Sequence, residues 1–252
     1  MRGLSRMADL ILVNLLAGIF FVPAIVVSVV TISMGLPPLL VILLTWLFFL
    51  LAGPALTAMH YVLLKMTRDE ESYITRSFFK SFRENFVQSI GLAAIVYSVM
   101  LVLIADAWML RTSALDQYPM VLRVLLFAVS IYMFLASLWV FPMQCHFVNT
   151  VLGTIRNSFF FAILVFPRTL GMAALAALPI LLLYFFDMRV LPILLMFGFS
   201  GPGYFSACLY NKAFKRFEPE ETTVTSDEEF HVLTEDEETP GEASDKGEND
   251  AE

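Results

Sequence analysis

Four side chains with metal-binding or nucleophilic chemistry stand within apolar stretches of the chain: His60, Cys145, His146 and Cys208, with Met59 and Gln144 beside them. Imidazole and thiolate together suit a soft metal ion. Their spacing is not that of a local chelate, and lone His and Cys residues in apolar helices usually serve packing. The sequence holds no H-E-x-x-H, no G-x-S-x-G, no Cys-x-x-Cys and no phosphate-binding Gly-Lys-Ser/Thr loop. No catalytic, cofactor-binding or metal-ligating residue is therefore assigned. The chain is read as a non-enzyme without cofactors and without a nucleic-acid partner. Asp9, Asp106, Asp116 and Asp187 all fall near the ends of apolar stretches. Ion-coupled carriers usually keep an ionisable group at mid-depth, so this placement weighs against a proton-coupled carrier.

The elements that must carry these residues are membrane helices. Of 252 residues 58% are hydrophobic and only 15% charged, where soluble domains average roughly 25% charged. The apolar residues form blocks of the length a helix needs to cross a bilayer, about 20 residues. Six spans are expected, at about 10–33, 38–64, 88–109, 120–147, 169–186 and 190–211. Twelve basic residues fall at the N-terminus, in the second-to-third and fourth-to-fifth connections and after the sixth span, against three (Arg111, Arg123 and Arg189) on the other side. By the positive-inside rule both termini are expected to be cytoplasmic, in a multi-pass protein of a cell membrane. Cys145 and Cys208 lie near cytoplasmic helix ends, so no disulfide is expected. The first apolar stretch is too long for a signal-peptide core, so no cleavable leader is expected.

Two domains are expected. Residues 1–217, with 15 Lys/Arg against 8 Asp/Glu, are the transmembrane domain; 218–252, with 15 acidic residues against Lys246, are a tail too polar to fold. Between the second and third spans, residues 72–87 place Phe78, Phe79, Phe82 and Phe86 at helical spacing, with Arg76, Lys80 and Arg83 on the other side. An aromatic face opposite a basic one describes an interfacial helix on an anionic inner leaflet. It equally describes a cytoplasmic helix packed on the bundle. Either way it is the candidate docking surface, and the acidic tail, leaving on the same side, is placed to compete for its cations.

Pro54, Pro142 and Pro202 each interrupt one of the three outward-to-inward helices. Proline removes a backbone bond and bends a helix, so these are candidate hinges; simple bundle curvature is the other reading. An offset of 80 residues aligns Arg76 with Arg156, Phe79 with Phe159, Phe86 with Phe166, and Ser89-Ile90-Gly91 with Thr169-Leu170-Gly171. That pattern marks a duplication in the same orientation, or a chance match among helices rich in small residues.

The stretch Gly53 to Ser89, with its Gly-Pro, the following Ala and Tyr, a charged turn and an FF…F.ENF helix, resembles the YesL-like family of bacterial membrane proteins. Asn14-Leu15-Leu16, Val140 to Pro142, Asn157 to Leu170 and the segment GPGYFSACLYNKAFKRF fit the same family. The longer first hairpin, turning at Gly35-Leu36-Pro37-Pro38, and the acidic tail depart from it. The resemblance implies a polytopic all-α bundle, with an amphipathic cytoplasmic helix between the second and third of six spans. It also implies a setting near carbohydrate ABC transporters, and it carries over no catalytic residue. The expected function is an accessory or regulatory membrane subunit of carbohydrate uptake. Its expected partners are the lipid bilayer and either transporter membrane subunits or a second copy of itself. The alternative is a small-solute transporter or channel.

Overall fold

A computed structural model describes residues 2–70, 73–111 and 119–217; the acidic tail and Asp116 lie outside the described residues. Every regular element described is helical. In chain order these are α1 (Arg2–Gly18), α2 (Val22–Ser33), α3 (Pro38–Phe49), α4 (Ala52–Thr67), α5 (Ile74–Glu84), α6 (Phe86–Arg111), α7 (Met120–His146), α8 (Val151–Leu164), α9 (Phe166–Phe186), α10 (Leu191–Phe197) and α11 (Ser200–Phe214), with a 3-10 turn at Asp187–Val190.

Proline explains where the helices stop. It has no N–H for the carbonyl four residues back, and its ring presses against that carbonyl. Breaks at Ile19–Phe21, at Leu50–Leu51 and at Gly198–Phe199 begin four residues before Pro23, Pro54 and Pro202. At the last of these the turn is so tight that a Cβ on Gly198 would sit 2.4 Å from the Leu194 carbonyl oxygen. Pro142 and Pro179, by contrast, are accommodated inside continuous helices α7 and α9. Two helix ends close with a residue in the left-handed region, which lets the chain turn while the last carbonyls stay bonded. Gly35 (φ 67°) does this after α2, and Asp69 (φ 56°) after α4. In both, the next N–H returns to the carbonyl five residues back, Leu36 to Thr31 and Glu70 to Lys65, each at 3.2 Å.

Among the described residues, four helical runs are long and apolar enough to cross a membrane: Pro38–Thr67, Phe86–Met109, Met120–His146 and Phe166–Phe197. The pair Ser5–Gly18 and Val22–Ser33, bent by 45°, makes a fifth if it is one span. The structure is thus an all-α protein with several apolar helices of membrane-crossing length. The first expected span, 10–33, is bent where α1 gives way to α2. Across the expected spans 169–186 and 190–211, α9, the 3-10 turn and α10 follow one another as the apolar run Phe166–Phe197, and α11 is a separate 15-residue helix. The connection 148–168 is mostly helix α8, which the composition alone did not suggest. α8 and α9 repeat α5 and α6 at the offset of 80, each pair separated by one residue, Asn85 and Val165.

The core lies where α1, α4, α5, α7 and α11 meet, around Val13, Val62, Phe78, Trp139, Tyr210 and Phe214, all fully buried. Elsewhere the helices are bare. Only 11–28% of the most apolar window of each spanning run is buried within the chain, and large apolar side chains such as Val29, Phe127, Ile180 and Phe185 stand exposed. A water-soluble surface rarely tolerates apolar patches of that extent, whereas lipid tails cover them without cost.

Candidate functional site: a central cavity and a basic groove

Several of the buried polar side chains in the bundle pair across helices. Asn14, in the middle of the apolar stretch of α1, is buried. Its Nδ2 donates to the Leu195 carbonyl at 2.8 Å, and its Oδ1 accepts from the backbone N–H of Phe199 at 2.8 Å and of Ser200 at 2.9 Å. Leu195 and Phe199 are four residues apart and would bond each other in an unbroken helix. The break before Pro202 separates them, and one amide side chain satisfies both. Thr57 on α4 and Ser89 on α6 share a hydroxyl bond of 2.8 Å. Trp139 donates to Thr169 at 3.0 Å, tying α7 to α9. Gln144 accepts from Thr154 at 3.2 Å and donates to Asn85 at 3.3 Å, so it links α7, α8 and the corner between α5 and α6.

Beside the Gly198–Phe199 break is a cavity of about 420 Å³, lined from α4, α6, α7, α9 and α11 and open to the surface past the exposed side chains of Phe134, Ile180 and Phe199. That volume is within the usual range for ligand sites, about 300–1,000 Å³. Its walls are apolar, chiefly Met100, Phe134, Phe141, Met172, Pro179 and Phe199, with His60, Ser137 and Ser206 as the polar side chains. Of the candidate hinges, Pro202 lines this cavity. Pro142 is buried in α7 beside the lining residue Phe141, and Pro54 is buried at the start of α4, away from it. Pro179, which the sequence reading left aside, lines it as well.

The His and Cys residues are engaged separately. His60 Nδ1 lies 3.4 Å from the Tyr210 hydroxyl, which donates to the His60 carbonyl at 3.2 Å. Cys145 is bonded to the Pro142 carbonyl, and the His146 ring stacks on Phe214 at 5.0 Å. Cys145 and Cys208 are both free thiols. Among the described residues no three His, Cys, Asp or Glu side chains are grouped to hold a metal ion. Asp106 is half-buried and accepts from Ser130 on α7 at 3.2 Å.

α5 packs on α4 and α1 through a face that mixes serine with phenylalanine. Ser77, Phe78 and Ser81 are buried, and Phe82 packs against Phe20, in the break after α1, at 4.6 Å and against Phe86 at 5.5 Å. Phe79, grouped in the sequence reading with the other aromatics, is 38% exposed and turns toward the basic side. The small serines bring the helix close to the bundle, which period alone does not reveal. Arg76, Lys80 and Arg83 are exposed. They border an open groove of about 1060 Å³ between α5 and the first turns of α1.

The fold and these sites define an all-α protein with several apolar helices of membrane-crossing length, an apolar cavity and a basic groove. Residues 10–107, fewer than half of the chain, match a family described as "Protein of unknown function, DUF624". The match takes in Asn14, Pro54 and the whole of α5, and stops short of Pro142 and Pro202. No curated protein matches the chain, and no solved structure does.

Proposed function

We propose that this chain is a six-span protein of the bacterial cell membrane that serves as an accessory or regulatory subunit of a carbohydrate uptake system. The six-span reading counts α1–α2, α3–α4, α6, α7, α9 and α10–α11. It is supported by the non-helical backbone at Asp187 (φ 50°, ψ −149°), which interrupts the run between α9 and α10, and by the packing of α11 against α9. There Gly171 faces Leu209, with room for a Cβ at only 3.0 Å, while Pro179 and Gly198 share the cavity further along. The Lys/Arg distribution then assigns both termini to the cytoplasm. Single cysteines at Lys80 and Lys215 should react with an impermeant maleimide from the cytoplasmic face, and one at Arg189 from the opposite face. Labelling of Lys80 and Arg189 from the same side would remove the six-span reading.

The observation that carries the accessory role is the mainly apolar lining of the cavity beside the Gly198–Phe199 break. A sugar or ion entering it would lose water and find only His60, Ser137 and Ser206 to replace its hydrogen bonds, and each hydroxyl left stranded costs roughly 2–7 kcal/mol. The setting in carbohydrate uptake, and the YesL-like name, rest on the family resemblance. The alternative, a small-solute transporter, is favoured by one feature, the placement of Pro179 and Pro202 on the cavity wall, where helix bending would change its size. Chemical cross-linking in native membranes followed by purification should recover transporter membrane subunits with this chain, and proteoliposomes holding the chain alone should pass no labelled mono- or disaccharide. Recovery of the chain alone, together with saturable sugar flux, would reverse the assignment.

A further inference from the structure

We infer that the groove between α1 and α5 is a binding site for the headgroup of an anionic phospholipid, with Arg76 and Arg83 as its phosphate ligands. The aromatic side of α5 is already spent on the protein: Phe78 has no exposed surface and Phe82 is packed on Phe20. The helix therefore does not float on lipid by its phenylalanines. Its cations instead border a discrete groove with an opposing wall, Leu12 and Asp9 of α1.

Arg76, Lys80 and Arg83 are spaced i, i+4, i+7, one stripe along the helix. Lys80 is engaged with Glu84 at 3.9 Å. Asp9 is the second acid on the groove. With Lys80 and Glu84 offsetting each other, two guanidinium groups face one carboxylate, and the groove keeps one net positive charge. A guanidinium presents its N–H groups as a fork that matches two phosphate oxygens. The two arginines are seven residues apart, roughly 10 Å along the axis, a separation that lets one or two phosphodiesters be held.

The remaining lining chooses a lipid over a soluble anion. Phe79 and Leu12 make an apolar floor beside the cations, and Tyr73, 83% exposed, stands at the mouth. Aromatic residues concentrate where headgroups meet acyl chains. α4 ends and α6 begins at α5, so on the six-span reading the groove opens at the level of the inner leaflet. The inference rests on that reading only for this depth; the labelling experiment tests the reading and the following one tests the site.

The test uses the full chain in detergent, followed by native mass spectrometry and thermal unfolding with added phosphatidylglycerol, phosphatidylcholine, glycerol 3-phosphate or inorganic phosphate. The wild-type chain should retain phosphatidylglycerol and be stabilised by it more than by phosphatidylcholine, with neither soluble phosphate reproducing the effect. The pair Arg76→Gln with Arg83→Gln should weaken phosphatidylglycerol binding by about tenfold or more, while Arg76→Lys with Arg83→Lys should fall between. Both residues are exposed, so the variants should fold; an unchanged unfolding temperature without lipid checks this. Equal responses of wild type and the glutamine pair would overturn the proposal. So would equal binding of phosphatidylcholine, or an equal response to soluble phosphate, which would make the site one for a free anion.

Discussion

Replacing Asn14 by leucine should lower the apparent Tm of the purified protein more than any other single side-chain truncation on α1. The side chain completes three backbone bonds at the Gly198–Phe199 break, to the Leu195 carbonyl and to the N–H groups of Phe199 and Ser200. A buried polar group left without a partner costs about 1–3 kcal/mol, so the loss should total about 3–5 kcal/mol after relaxation. The change that relaxation permits is itself diagnostic. Without Asn14, the Leu195 carbonyl and the Phe199 N–H satisfy themselves most cheaply by bonding each other, which straightens α10 into α11. Pro202 still forbids a bond to the Gly198 carbonyl, so the straightening is partial, and it moves the wall of the central cavity. A cysteine at Ser206, which lines that cavity, should therefore change its reactivity toward a small apolar maleimide in the leucine variant. Asn14→Asp separates the parts. It keeps the acceptor for both N–H groups, loses the donor to Leu195 and adds a charge to a buried site. Its stability should recover only when the carboxyl is protonated and can donate, that is, as the pH is lowered. An Asn14→Leu protein as stable as wild type would show that the break holds without the amide.

How far the sequence discloses this arrangement differs from element to element. The long apolar runs are plain, since a helix surrounded by lipid needs no periodicity to declare itself. The breaks are legible too, but through a rule about single residues rather than through hydropathy: Pro23, Pro54 and Pro202 each mark a discontinuity four residues earlier. Pro142 and Pro179 obey no such rule, because a bent but continuous helix can be held by its neighbours. Helix α8 was hidden by composition and disclosed by the repeat. Arg156 and Phe159 stand where Arg76 and Phe79 stand on α5, and the helical pair follows the same offset. Asn14 carried a visible signal, an amide within the apolar second half of α1, which must find partners or be very costly; its partners, more than 180 positions away, were not readable. The central cavity draws on five helices, and no local pattern encodes it. On α5 the aromatic spacing showed which residues were apolar, while Ser77 and Ser81, the residues that set its depth of packing, looked like ordinary polar surface.

The second large effect is expected at Gly53, where α4 crosses α6. A Cβ at this position would lie 2.5 Å from the Ala93 Cβ and 2.8 Å from the Ser89 carbonyl oxygen. Real carbon contacts do not come so close, and the second obstacle is backbone, which cannot rotate away. Alanine at 53 therefore has to push the two helices apart, and valine more so. Overpacking of a close crossing costs about 1–3 kcal/mol. Here the separation also stretches the 2.8 Å bond between Thr57 and Ser89, so the loss should reach the upper end of that range or exceed it. Membrane helices lack a strong hydrophobic drive to re-pack, because lipid tails are as apolar as the displaced side chains, and close contact of small residues is what holds such crossings together. Gly53→Val should thus weaken the association of α4 with α6 and appear as faster proteolysis at the charged turn between α4 and α5. Pairing Gly53→Ala with Ala93→Gly offers the control. It removes the 2.5 Å clash but leaves the one with the Ser89 oxygen, so it should restore part of the stability lost by Gly53→Ala. Full restoration would mean that the side chain of Ala93, not the backbone of α6, limits the approach. No loss in Gly53→Ala would mean that the helices cross at a greater distance than the structure shows.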